Sequence, residues 1–70
     1  MLAPKIKALL SLTRQTHADL SRHMNISAQA LSGKLARDSF TPDELLTIAE
    51  FCGCQLCFIF PNGDRISLDK

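Results

Sequence analysis

The apolar positions change their spacing once along this chain. Up to about residue 52 they recur every three or four residues, the signature of helices with one buried face, and after Gly53 they alternate. Ile6, Leu9, Leu10 and Thr13 share a face, and Pro4 suits a first helical turn, where its missing N–H costs nothing. This spacing predicts a helix over about 4–14. Thr16, with Asp19 three residues on, is a capping signal for a second helix over about 17–24, which buries Leu20 and Met24 beside the small Ala18 and Ser21. Asn25 tolerates the left-handed conformation and turns the chain sharply. Ile26 then enters the core at the corner, and Ser27 caps a third helix, about 28–36, with Leu31 and Leu35 on one face. Thr41-Pro42-Asp43-Glu44 is the strongest helix start, combining an N-cap, a first-turn proline and the reciprocal capping acid. The fourth helix, about 42–52, carries Leu45, Leu46, Ile48, Ala49 and Cys52 and stops at Gly53.

Beyond it Cys54, Leu56, Phe58 and Phe60 alternate with Gln55, Cys57 and Ile59. Pro61-Asn62-Gly63-Asp64 is a tight-turn signal, and Ile66 and Leu68 resume the alternation. The pattern predicts a β-hairpin with strands near 54–60 and 65–69, the face bearing Cys54, Leu56, Phe58 and Phe60 covering the helices. The fold expected is mainly α: four short helices, then a C-terminal hairpin, in a single domain over 1–70.

Size sharpens this picture. A chain of 70 residues builds one core and buries only about 60% of its unfolded surface, so it gains from a partner subunit. A lone two-stranded hairpin is itself marginal in water, and this one has apolar residues on both faces and open edges that invite pairing. A two-fold homodimer is therefore expected, joined through Leu56, Cys57, Phe58, Ile59, Phe60, Ile66 and Leu68. No segment reaches the roughly 20 apolar residues of a membrane span. The first residues lack a signal-peptide core, so a cytoplasmic location is expected.

Three cysteines, an odd number, argue against a disulfide framework. Zinc wants four ligands, and nothing near Cys52, Cys54 and Cys57 completes a set. These thiols are read as apolar filler, with a thiol or metal sensor the minor alternative. No metal, no cofactor and no catalytic residue is expected, since neither histidine has a partner placed to make a nucleophilic site.

Charge points to the partner. Residues 1–37 hold Lys5, Lys7, Arg14, Arg22, Lys34 and Arg37 against Asp19 alone, whereas residues 38–70 hold two bases against six acids. A basic half on a chain of net charge +1 suggests that one face meets a polyanion. The third helix adds a shape: away from its leucines it carries only Ala28, Gln29, Ser32, Gly33 and Lys34, small or hydrogen-bonding residues. Two short helices joined by a sharp turn, the second with so slim a face, describe a helix-turn-helix.

The segment Thr16-His17-Ala18-Asp19-Leu20-Ser21-Arg22-His23-Met24-Asn25-Ile26-Ser27-Ala28-Gln29-Ala30-Leu31 resembles the helix-turn-helix of phage repressor and Cro-type DNA-binding domains. The resemblance spans roughly residues 4–52. Leu20, Met24, Ile26 and Leu31 match the family's apolar positions, and Gln29 stands where it often has a base-reading side chain. His17, Ser21 and Asn25 replace its usual Gln, Ala and Gly, Leu35 takes a core position one residue late, and Gly33 is unusual inside a recognition helix.

The resemblance implies sequence-specific binding of double-stranded DNA by a small dimeric transcriptional regulator, a repressor by preference. The major groove, about 12 Å wide, admits one slender helix. Base contacts are expected from Ala28, Gln29, Ser32, Gly33 and Lys34, and phosphate contacts from Arg14, Thr16, His17, Ser27, Arg37 and Ser39. Arg22 and His23 are expected on the exposed side of the second helix. The rival reading is an antitoxin-like or other interaction module that holds a protein partner with the hairpin.

Overall fold

Local capping chemistry sets the helix boundaries. The computed structural model describes residues 1–68, which form α1 (Ala3–Leu12), α2 (His17–Met24), α3 (Ala28–Arg37), α4 (Pro42–Phe51), β1 (Leu56–Ile59) and β2 (Arg65–Leu68). Thr16 closes a full capping box on α2: its Oγ1 accepts from Asp19 N–H and the Asp19 carboxylate accepts from Thr16 N–H, both at 3.0 Å. Thr41 and Glu44 repeat the box on α4, and Ser27 Oγ accepts from Ala30 N–H at 3.0 Å to start α3. Asn25 is left-handed (φ 61°), as its place after α2 requires.

Several ends differ from the sequence expectation. α1 stops at Leu12, two residues before the predicted end, because Arg14 turns left-handed (φ 58°) and Gln15 N–H folds back to Leu10 C=O at 2.9 Å. The hairpin strands are shorter than the predicted 54–60. Gly53 (φ +69°) ends α4, and Cys54 N–H bonds Ala49 C=O at 2.9 Å, so Cys54 belongs to the helix cap and not to a strand. At the other end Phe60 enters the turn, its carbonyl accepting from Gly63 N–H at 2.9 Å. The predicted second strand reached residue 69, which lies outside the described residues.

The core comes from the helices alone. Ala3, Ile6, Leu10, Leu20, Leu31, Leu35 and Ile48 form it, with Leu10, Leu20 and Leu31 fully enclosed. Leu2, Leu9, Met24, Ile26, Phe40, Phe51 and Cys52 pack around it, half-buried. Ser21 is buried too and keeps its hydroxyl satisfied by donating to Ala18 C=O at 2.9 Å.

One polar contact joins distant parts of the chain. Asp38 follows α3 in the left-handed conformation (φ 54°), and its Oδ1 accepts from Leu2 N–H at 2.6 Å and Ala3 N–H at 3.1 Å. The carboxylate thus caps α1, whose own N-cap residue, Leu2, has no capping side chain.

The hairpin pairs antiparallel in the register Leu56–Leu68, Cys57–Ser67, Phe58–Ile66, Ile59–Arg65. The expectation that Cys54, Leu56, Phe58 and Phe60 cover the helices is met by Leu56 and, through its Sγ on the Ala49 carbonyl at 3.6 Å, by Cys54. Leu56 and Leu68 meet α4 beside Leu46 and Ala49, whereas Phe58 is 62% exposed and Phe60 48%. The strands lead away from the helices, and the described chain extends 39 × 23 × 22 Å.

Candidate nucleic-acid interface

α3 has two sharply different sides. A residue in an α-helix lies about 200° round from the residue two before it. Leu31 and Leu35, both buried, therefore stand opposite Gln29, Gly33 and Arg37. Ala28, Gln29, Ala30, Ser32, Ala36 and Arg37 are exposed, and all but Arg37 are no larger than glutamine. Leucine anchors on one side and short side chains on the other leave the α3 backbone close to whatever lies outside it.

Three of the five expected base-contact residues, Ala28, Gln29 and Ser32, lie on this open surface. Gly33 is half-buried for a reason the sequence did not disclose. A Cβ placed on it would stand 3.2 Å from Arg37 Nη1 and 3.4 Å from Nη2, so the Arg37 guanidinium lies across the glycine. Lys34 turns toward α4 and pairs with Glu44 at 2.8 Å, both side chains mostly covered. That ion pair and the Thr41 backbone N–H hold the Glu44 carboxyl below the usual range. The partner of Lys34 comes from α4, ten residues along, and no spacing rule within α3 announces it.

The expected phosphate contacts gather at the entrances to α2 and α3. Arg14 and Thr16 precede α2, His17 is its first residue, Ser27 caps α3, and all four are exposed. Arg37 and Ser39 lie at the far end of α3. His17 and Ser32 line a cleft of about 210 Å³ with Leu35, Ala36 and Lys7 of α1. Lys7 was not among the expected contacts. Its position off the apolar stripe of α1 was the available signal, but stripe position alone does not tell which neighbouring helix the lysine meets.

Arg22 is exposed as expected and pairs with Asp19. The Asp19 carboxyl is held below its usual range chiefly by the backbone N–H and hydroxyl of Thr16, with Arg22 adding to the effect. His23 is exposed, yet its ring rests against Phe51 of α4 with centroids 4.8 Å apart. Burial and the neighbouring Cys52 thiol push the Cys54 thiol up, and all three cysteines are free. Among the described residues no three metal-ligating side chains gather, and no helix is long and apolar enough to cross a membrane.

A turn of this kind between two short helices, the second exposing a slim face, is a helix-turn-helix. The family model of the Cro/C1-type HTH DNA-binding domain matches residues 5–57. The chain belongs to this family. Double-stranded DNA is thereby its partner, and the Cro/C1-type match begins inside α1, covers α2, α3 and α4 whole and stops inside β1. Searches of curated proteins and of solved structures return no match.

Proposed function

We propose that this Cro/C1-type domain is a small dimeric transcriptional regulator that reads a specific operator with α3 in the major groove and represses by occupying the site. The observation that carries the reading is the contrast on α3, two buried leucines behind and, in front, short side chains with one arginine, Arg37. Gln29 has the geometry to bond adenine at N6 and N7, Ala28 to touch a thymine methyl, and Ser32 to bond either kind of base. Arg14, Thr16, His17, Ser27 and Ser39 bind phosphates, joined by Lys7, and set the register of the helix in the groove. Lys34 stays with Glu44, and the neutral pair ties α3 to α4 behind the reading face. No catalysis is assigned.

Dimerisation through the hairpin completes the reading. Phe58, Ile59, Phe60, Ile66 and Leu68 are all exposed, between 38% and 68%, on a chain of 70 residues. A second copy shields this surface and sets two recognition helices about 34 Å apart, the spacing of successive major grooves. The same exposed hairpin favours one other occupant, a protein partner of the antitoxin kind, which leaves DNA binding in place and gives a hetero-complex instead.

Selection of bound sites from random duplexes at stated salt is the direct test. A two-fold symmetric consensus is expected, with affinity falling steeply as salt rises and counterions are released. Binding without a consensus, or none at low salt, refutes the operator-reading role.

A further inference from the structure

We propose that Arg37 reads a base, and that Gly33 provides the seat from which it does so. The inference rests on the groove-reading assignment of α3 and adds a second base-reading side chain to Gln29.

Arg37 is the last residue of α3, and a side chain that stayed there would reach phosphate more readily than bases. Long helical side chains, however, run back toward the helix N-terminus. Here the guanidinium has come back one turn, and the three atoms nearest a Cβ on Gly33 are its Nη1, Nη2 and Cζ, at 3.2, 3.4 and 3.6 Å. Five donors in a flat fork therefore sit at mid-helix, opposite the buried leucines and one turn from Gln29. Among the described residues no carboxylate forms an ion pair with Arg37, so none of them claims the fork. An unclaimed guanidinium on a groove-facing helix surface matches the paired acceptors O6 and N7 of guanine.

Gly33 gains a physical reason by the same geometry. Glycine inside a helix costs about 1 kcal/mol relative to alanine. Its φ is not positive, so the turn does not require it. A Cβ there would stand 3.2 Å from Nη1, so the guanidinium, at the end of a flexible side chain, would shift by a few tenths of an ångström from its place on the glycine. The glycine clears the ground on which the arginine lies.

The test is binding-site selection with wild type, Gln29→Ala, Arg37→Ala, Arg37→Lys and Gly33→Ala. The wild-type consensus is expected to hold a guanine near the base pair whose preference Gln29→Ala relaxes. Discrimination at that guanine should fall on the order of 10-fold in Arg37→Ala and by less in Arg37→Lys, because lysine keeps the charge and a donor but loses the planar fork. Gly33→Ala, which improves helix propensity and so keeps the fold, should weaken the same position with Arg37 still present. The proposal is overturned if Arg37→Ala leaves the guanine preference intact or weakens every sequence equally, and the seat assigned to Gly33 is overturned if Gly33→Ala leaves the consensus intact. Relaxation by Gln29→Ala alone sinks only this inference. The lack of any wild-type consensus sinks the groove-reading assignment beneath it.

Discussion

Replacing Asp38 by asparagine, glycine and alanine separates two tasks of one residue. Its Oδ1 takes the Leu2 and Ala3 N–H groups at 2.6 and 3.1 Å, and its backbone is left-handed at φ 54°. Loss of an N-cap costs about 0.5–2 kcal/mol, and this acceptor is charged and half-buried, so about 2 kcal/mol is appropriate. Left-handed backbone adds roughly 1 kcal/mol for alanine and none for glycine. Asp38→Ala is therefore expected to lose about 3 kcal/mol, the sum of cap and backbone costs. Asp38→Gly avoids the backbone cost and should lose only the cap, about 2 kcal/mol. Asp38→Asn keeps both the conformation and an acceptor, and should lose under about 1 kcal/mol. Urea unfolding followed by far-UV circular dichroism at one fixed protein concentration measures all three, the chain having no Trp or Tyr for fluorescence. Wild-type stability in both the Gly and Ala variants would refute the cap. Equal losses for Gly and Ala would refute the backbone argument.

Other outcomes follow from the same geometry. Ser27→Ala removes the hydroxyl that accepts from Ala30 N–H, so it should cost about 1 kcal/mol in urea unfolding and loosen the start of α3. Gln29→Ala should lower discrimination at one base pair by about 1–3 kcal/mol in competition binding while leaving the salt slope near wild type. The Glu44 carboxyl is held below its ordinary value of 4.5, so its folded-state contribution is complete above that value and is lost as pH falls through the lowered one. Glu44→Gln should accordingly be less stable than wild type at neutral pH, and the gap should narrow on acidification. A constant gap in pH-dependent unfolding would contradict the ion pair. Phe58→Asp places a charge on the exposed hairpin face and should shift sedimentation from dimer toward the 7.7 kDa chain at micromolar concentration. Wild type sedimenting only at that mass would already disprove the dimer.

What was legible in advance was local. The capping boxes at Thr16 and Thr41, the cap at Ser27 and the turn at Asn25 each involve side chains within a few residues of the backbone they satisfy. Helical spacing likewise marked Leu31 and Leu35 as core, and it left α3 with a lean outer face. The early end of α1 was missed because its left-handed residue is an arginine, which carries no turn signal.

Determined by sequence alone, then, were the helices, their order and the face of α3 that is free of bulk, because caps and periodicity act within one element. Tertiary structure decided the rest. Only the packed fold joins Asp38 to α1, takes Lys34 to Glu44, and sends most of the hairpin's apolar face into solvent. Those outcomes depend on which surfaces meet in space, and alternation or charge along a strand or helix says that a face seeks a partner without saying where that partner stands.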